Sequence, residues 1–445
     1  MTYIETRQHE LRKRSVLMID GSVTANVQST EAGTSVRVLR DGYWGFAAGT
    51  GTGATREQLQ DQALRNATAM ASFGARSQAD LPGGSYQGRL EMRGRPALGQ
   101  KELLERLATL DAWCRSRYPR LKSVRLRADE ERHTKHVTNS VGSDALNGIA
   151  RGALYVTLSM EGADGAPVEL WEHFTAKGSL ADLDFTPEAL QADLDAVHGH
   201  LLAKCEAVPA RGGVHTVVMA PDLAGILAHE AMGHPCEADI VLGGAVTGSL
   251  VGKRVGSELV GMVDVAHTFR GEEVMVPVYC DDEGTPARDA VLIRDGILQE
   301  FMNSRETAAQ LGIAPTGSAR AYAPADEPLV RMRNTVILPG TSRLEDMIAG
   351  VDDGYFLLRT SNGQADSTTE FMFGITLGYE IRGGKLGRAI RDTTVSGSAI
   401  KVLQSVDAVS SDLEWSAAGY CGKKQVMVVS MGGPALRARA HLGGQ

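Results

Sequence analysis

The chain has 445 residues, 43% of them hydrophobic, which exceeds the size at which one core usually stops growing, so more than one domain is expected. With 46 Lys and Arg against 54 Asp and Glu the net charge is −8, and no basic cluster interrupts it, which excludes nucleic acid as a partner. Met1 to Thr6 runs straight into charged residues without the apolar stretch of a secretory signal, and no later segment is apolar for long enough to span a bilayer; a cytoplasmic protein without membrane contact is expected.

The opening residues alternate through Ser15 to Ile19, turn at Asp20-Gly21 and resume from Thr24 to Gln28, which predicts a hairpin. A third strand, Ser35 to Leu39, turns at Asp41-Gly42 into Tyr43 to Phe46. Thr55 with Gln58 forms a capping box for a helix ending near Gly74. A second helix is predicted from about Lys101 to Arg117, then strands at Ser123 to Arg127, His133 to Asn139, Ala153 to Met160 and Val168 to Thr175. Thr186-Pro187 starts a helix with Leu190, Leu194, Val197 and Leu201 on one face. Val214 to Met219 is an apolar strand, and Pro221 opens a short helix over Asp222 to Met232.

Beyond Gly243 the pattern becomes strands and glycine turns: Glu273 to Tyr279, Ala290 to Ile293, Ile297 to Phe301, Arg333 to Leu338, Phe356 to Arg359, Glu370 to Ile381 and Val426 to Ser430. The fold class expected is α+β, with an amino-terminal mixed α/β region of antiparallel sheet and helices and a carboxy-terminal β-rich domain that carries the chemistry. Domains are expected at 1–95 (sheet plus helix), 96–212 (α+β) and 213–445 (β-rich, catalytic).

The chemistry is expected at His229-Glu230-Ala231-Met232-Gly233-His234. Two imidazoles flanking a glutamate on an apolar helix suit a zinc-binding pair with a general base. The spacing, however, is one residue too long. At about 100° per residue, positions i and i+4 lie about 40° apart on an α-helix, whereas i and i+5 diverge by about 140°. Gly233 tolerates unusual dihedrals and Pro235 biases His234 toward extended backbone, so the helix is expected to break at the Gly-His-Pro step; a π turn at Gly233 is the alternative. Catalytic zinc sites use three protein ligands, and the third is open between Cys236, Glu237, Asp239 and the distant Cys421, which stands between glycines. The five cysteines are odd in number and scattered, which fits a reducing compartment.

The motif His229 to Pro235 followed by Glu237-Ala238-Asp239 resembles the signature of the TldD/PmbA metalloproteases, in their active TldD branch. The resemblance continues through Asn334 to Gly340, Gly363 to Asp366, Glu370 to Phe373, Tyr379 to Ile381, Thr394 to Gly397 and Cys421 to Lys423, and so covers most of the chain. It implies His229 and His234 as zinc ligands, Cys421 as the third ligand and Glu230 as the catalytic carboxylate. It also implies an amino-terminal α/β region, a carboxy-terminal β domain, and a heterodimer with a PmbA/TldE-like paralogue that lacks the metal motif, with a homodimer as the other assembly. In one departure from its relatives, the chain enters its first strand without the helix that many of them place before it.

The function expected is therefore a zinc-dependent peptidase acting on unfolded or short peptides. Zn²⁺ would supply hydroxide near neutral pH and polarise the scissile carbonyl, with Glu230 as general base. A β-rich surround suggests that the peptide binds extended, as an added strand. The alternatives are a peptide-tailoring metalloenzyme of natural-product maturation and a non-catalytic modulator subunit, against which the intact Glu230 argues.

Tyr420, His267 and Arg320 are candidates for stabilising an oxyanion. Gly49 to Gly53 is read as a flexible turn and not a phosphate loop, because it lacks the Lys-Ser/Thr ending. Asp281-Asp282-Glu283 is read as a solvated acidic turn. His198 and His200, two apart on a helix, point to different faces.

Overall fold

Two Asp-Gly turns shape the beginning of the chain. Asp20 and Gly21 have φ of 51° and 78°, and Asp41 and Gly42 of 53° and 86°, the left-handed pairs that a two-residue hairpin turn requires. In the computed structural model, which describes residues 2–51, 53–73, 80–91, 94–417 and 419–443, these turns join strands Tyr3–Ile19, Ser22–Arg40 and Tyr43–Thr50. The strands expected at Thr24 to Gln28 and Ser35 to Leu39 are thus one. Gly33 between them makes no turn: a Cβ there would press on the backbone of Gly49 and Thr50 in the next strand. In the same way Ser123 to Arg127 and His133 to Asn139 merge into Ser123–Asn139, because the intervening Asp129, Glu130 and Glu131 are buried.

One sheet gathers the amino-terminal strands in the order Tyr43–Thr50, Ser22–Arg40, Tyr3–Ile19, Ser123–Asn139 and Asp144–Glu161, with Pro167–Lys177 paired antiparallel and Gln87–Leu90 parallel to the last of these. The expected segments 1–95 and 96–212 both contribute strands to it. The Thr55/Gln58 capping box is present and starts helix Arg56–Met70; the end expected near Gly74 lies outside the described residues, as does Thr52 of the glycine-rich turn. Helices Gln100–Arg117 and Pro187–Cys205 cover one face of the sheet. Leu103, Leu107, Leu110 and Cys114 recur at helical spacing and pack with Val124, Leu126, Val156, Leu158 and Leu194. Each such burial stabilises by about 1.5–3 kcal/mol.

The carboxy-terminal half holds a closed barrel. Asp353–Ala365 pairs with Gly213–Met219, which pairs with Leu436–Leu442, then Thr393–Ser398, then Glu370–Arg382, and this last strand pairs back with Asp353–Ala365. A separate six-stranded sheet includes Met262–Val265, Asn334–Ile337 and Ser430–Gly433. Between barrel and sheet runs the helix that begins at Pro221, seated by small residues: Cβ atoms at Gly225 and Gly433 would lie 3.3 Å from Gly432 N and 3.0 Å from Ala224 Cβ, respectively.

The strand expected at Glu273 to Tyr279 shrinks to Glu272–Glu273. Past it the Asn334 side chain replaces a neighbouring strand, accepting from Val276 N at 3.1 Å and donating to Val276 O at 2.8 Å. Asp281-Asp282-Glu283 is not solvated either, for its residues are 1%, 5% and 1% exposed. Lys135 Nζ of the amino-terminal sheet donates to Asp282 at 2.7 Å, Arg37 pairs with Glu283, and Asp281 accepts the N–H groups of Glu283 and Thr285. The acidic turn is the plug by which the two halves dock. Among the described residues no helix is long and apolar enough to cross a membrane.

Helix Arg56–Met70 lies so close to strand Tyr43–Thr50 that a Cβ on Gly45 would collide with the backbone of Ala63 and Ala67. Gly45→Ala is expected to lower stability by about 1–3 kcal/mol, read as a lower midpoint in urea unfolding; an unchanged midpoint would contradict this packing.

Candidate metal centre

Pro221–Ile226 is α-helical, and the next seven residues, Leu227–Gly233, wind as a π-helix, closed by an i→i+5 bond from His234 N–H to His229 C=O. The expected break before His234 does not occur: Gly233 (φ −62°, ψ −57°) and His234 (φ −57°, ψ −48°) both stay helical. Pro235 leaves His234 helical and occupies the opening of a 3₁₀ turn, His234–Cys236, where its missing N–H leaves no helical bond unmade. The π alternative is the one that holds, and over more than a single turn. A π turn takes about 4.4 residues, so positions five apart differ by only about 50°. The wider turn brings the two rings together, centroids 5.1 Å apart. A Cβ on Gly233 would strike Met332 Sδ and approach Ala228 O at 3.0 Å, so glycine is required by the close approach.

Cys421 arrives from 187 residues further along the chain, on hairpin strand Tyr420–Lys423, and its Sγ accepts from His234 Nε2 at 3.2 Å. One ligand atom from each of His229, His234 and Cys421 lies within 4.8 Å of the others. With bonds of about 2.0–2.3 Å a zinc tetrahedron has edges of about 3.3–3.8 Å, so the three atoms would draw in around an ion. Two imidazoles and a thiolate are a donor set that zinc favours. His229 is 1% exposed, and its buried Nδ1 has no hydrogen-bond partner among the described residues, a costly arrangement for a site with no other use for the ring. Of the expected third ligands, only Cys421 joins the pair.

The electrostatics ask for positive charge between these groups. Burial raises the Cys421 thiol, but hydrogen bonds and charge from His229 and His234 outweigh it and bring the pKa to about 5. Burial also opposes a charged His234, yet Glu237 and Cys421 raise it to about 10. The arrangement is that of a thiolate beside an imidazolium, in which a cation can take the proton's place.

Glu237, weighed as a ligand, instead holds the candidate ligand His234. Its Oε2 accepts His234 Nδ1–H at 2.8 Å, leaving Nε2 to face Cys421, and its Oε1 accepts Met332 N at 3.2 Å. Burial pushes Glu237 upward, but His234, Lys423 and Arg331 overcome that and keep it at about 2. Lys423 Nζ lies 3.1 Å from Glu237 and 2.9 Å from Asp239, so Asp239 is committed as well. A carboxylate that fixes the far nitrogen of a ligating imidazole sets its tautomer and orientation. Cys236 is fully buried, its thiol pushed up to about 12 by burial and Glu237, and it stays out of the cluster.

Glu230 stands at the edge of the group, Oε2 3.8 Å from His234 Nε2 and 22% exposed. Its stem packs beside Gly363, where a Cβ would lie 3.4 Å from Glu230 Cγ. The oxyanion candidates are otherwise engaged. Arg320 donates to Met332 O at 2.6 Å and Val428 O at 2.8 Å, His267 stacks on Tyr279 with centroids 4.4 Å apart, and Tyr420 donates to Glu131 at 2.9 Å. His200 Nδ1 meets Tyr379 Oη at 2.7 Å while His198 stacks on Tyr118, on different faces as expected. Sequence reasoning missed Arg331, which is fully buried and donates to Cys421 O at 2.8 Å. The available signal was a pair of arginines, Arg331 and Arg333, on either side of Met332 and directly after the apolar Leu329-Val330.

Comparison with known proteins agrees with this architecture. The family model for the PmbA/TldA metallopeptidase C-terminal domain matches residues 212–442, and that for PmbA/TldA metallopeptidase domain 1 matches residues 4–71. A metalloprotease of Methanothermobacter thermautotrophicus is 30% identical over 449 residues, covering 99% of this chain and 95% of that protein. A zinc metalloprotease TldD homolog of Saccharolobus solfataricus is 36% identical over 230 residues, a stretch that spans 52% of this chain and only 51% of that relative. Among solved structures, TldE from Thermococcus kodakarensis superposes with a TM-score of 0.76 at 16% identity, covering 99% of this chain and 97% of its own. A Thermotoga maritima structure described as a candidate modulator of a DNA gyrase gives a TM-score of 0.76 at 19% identity, covering 98% and 96%. Identity that low speaks for the fold alone, but the match to the archaeal metalloprotease along the whole chain goes further, and it places this chain in the TldD/PmbA family of metalloproteases.

Proposed function

We propose that the chain is a zinc-dependent peptidase in which His229, His234 and Cys421 hold the metal and Glu230 is the general base. The observation that carries this reading is the convergence of two imidazoles and a thiolate beside a partly exposed carboxylate. Zinc bound there would supply Lewis acidity and a water whose pKa falls to about 7. Glu230 takes the proton of the attacking water and delivers it to the leaving amine, for which its partial exposure leaves room. Glu237 keeps His234 in the tautomer that presents Nε2.

The barrel supports the substrate class we propose. Strand Asp353–Ala365 is paired on both sides from Gly354 to Leu357, but beyond Leu357 its only strand partner among the described residues is Glu370–Arg382. Glu230 packs over the face of this same stretch at Gly363. A free edge beside the base suits an unfolded or short peptide that adds as a strand. The assembly we favour is a heterodimer with a PmbA/TldE-like paralogue, with a homodimer as the alternative; the fold shared with TldE supports a common subunit architecture.

Two variants test the assignment against a peptide mixture read by mass spectrometry, where hydrolysis appears as added water and new termini. Glu230→Gln is expected to retain zinc and to lose about 10²- to 10⁴-fold in turnover. Cys421→Ala is expected to purify with less zinc and to release the remainder to a mild chelator. Full peptidase activity in both would sink the reading, and products without added water would favour a tailoring reaction instead.

A further inference from the structure

We propose that Glu131, a carboxylate of the amino-terminal sheet, is a positioning residue for the ligand Cys421, acting through the hydroxyl of Tyr420; the inference rests on the metal-centre reading above. Cys421 sits on a hairpin, Tyr420–Lys423 with Gln425–Val428, that among the described residues joins no larger sheet. A lone two-stranded hairpin is marginal in water, so the thiolate's position has to come from ties to its surroundings. Within the carboxy-terminal half these ties include Arg331, which donates to Cys421 O at 2.8 Å and Gln425 O at 2.7 Å, Arg320, which donates to Val428 O at 2.8 Å, and Lys423, which reaches Glu237 and Asp239.

Further ties come from the other half of the molecule. Glu131 is 4% exposed in the middle of Ser123–Asn139. Its Oε2 accepts Tyr420 Oη–H at 2.9 Å and Tyr322 Oη–H at 2.7 Å, and its Oε1 lies 2.9 Å from His133 Nε2, whose Nδ1 meets His9 Nε2 at 3.0 Å. Arg151 of the neighbouring strand lies over the Tyr420 ring, 4.8 Å from its centroid, and donates to Ala417 O. Burial raises the Glu131 carboxyl, but His133, Arg151 and Tyr322 more than offset it and hold it ionised, with a pKa of about 2. Successive side chains on a strand point to opposite faces, so Tyr420 and Cys421 stand back to back. One fastens to the amino-terminal sheet while the other meets His234. Zinc tolerates departures of only about 0.2 Å in ligand distance, so a shift at Tyr420 reaches the metal through a single peptide unit.

The plain alternative is that Glu131 only glues the two halves together, and Tyr322 separates the two readings, since it binds the same carboxylate without adjoining a ligand. Zinc affinity is measured on the full chain by competition with a chromophoric chelator, and thiolate geometry by the sulfur-to-cobalt charge-transfer band of the Co²⁺ form. Tyr420→Phe and Glu131→Gln are each expected to weaken zinc about tenfold and to shift the cobalt band, the double variant no further than either alone, while Tyr322→Phe keeps both parental values. Thermal melting of the metal-free proteins monitors folding; should Glu131→Gln fail to fold, the half-exposed Tyr420→Phe decides. Unchanged affinity and band in Tyr420→Phe, or equal losses in Tyr322→Phe and Tyr420→Phe, would overturn the inference. A parent chain that binds neither zinc nor cobalt would bring down the metal-centre reading and this inference with it, whereas a metal-binding parent with parent-like variants brings down the inference alone.

Discussion

Everything at the candidate centre depends on one i→i+5 hydrogen bond, from His234 N–H to His229 C=O. An α-helix closes at i+4 and would turn the two imidazoles away from each other; widening by one residue lays them on one face. The cost of the looser winding falls on a segment well able to bear it. Leu227, Ala228, Ala231 and Met232 are all buried between barrel and sheet, and tertiary packing holds the backbone where propensity would not. Gly233 completes the device by letting Met332 press against the turn, and Met332 N in turn donates to Glu237, the carboxylate that orients His234.

From that turn a line of alternating charge runs through the interior: thiolate Cys421, imidazole His234, carboxylate Glu237, ammonium Lys423 and carboxylate Asp239. Removing any one buried member strands its neighbours without a partner, which is far costlier than loss of a surface pair. The same logic governs the contact between the two halves. Lys135 with Asp282 and Arg37 with Glu283 are buried pairs whose members come from opposite halves, so docking has a single satisfied geometry. Such pairs add little net stability, but they penalise misregistration heavily.

Local order was legible in the sequence where local rules decide it. The Asp-Gly turns, the Thr55 cap, the leucine stripes of the two longer helices and the α+β class all follow from spacing and turn chemistry. What the sequence hid was satisfied at a distance. Asp129 to Glu131 read as an interruption because their partners, Ser15 and Tyr322 among them, lie far away in the chain. Glu273 to Tyr279 read as a strand because nothing local reveals that Asn334 takes the place of its neighbour. At the site, the anomalous spacing of His229 and His234 announced a departure from α geometry. Its form was hidden, since a break at Gly233-His234-Pro235 and a π-helix answer the same constraint and the choice belongs to the packing of Leu227 to Met232. Glu237 was visible as a carboxylate near the motif, but its role as holder of His234 required the fold.

The separation of the candidate ligands along the chain bears on how the centre is held together. His229 and His234 are brought together within one helix, whereas Cys421 comes from 187 residues further on, past most strands of the barrel and the second sheet. Among the described residues its hairpin joins no larger sheet, and side chains such as Arg331 tie it in place. A metal bound by all three residues therefore favours the closed carboxy-terminal domain over any state in which the hairpin has swung away, and adds its binding free energy to that closure. With Tyr420 of the same hairpin fastened to Glu131, closure of the site and docking of the amino-terminal sheet are mechanically one event.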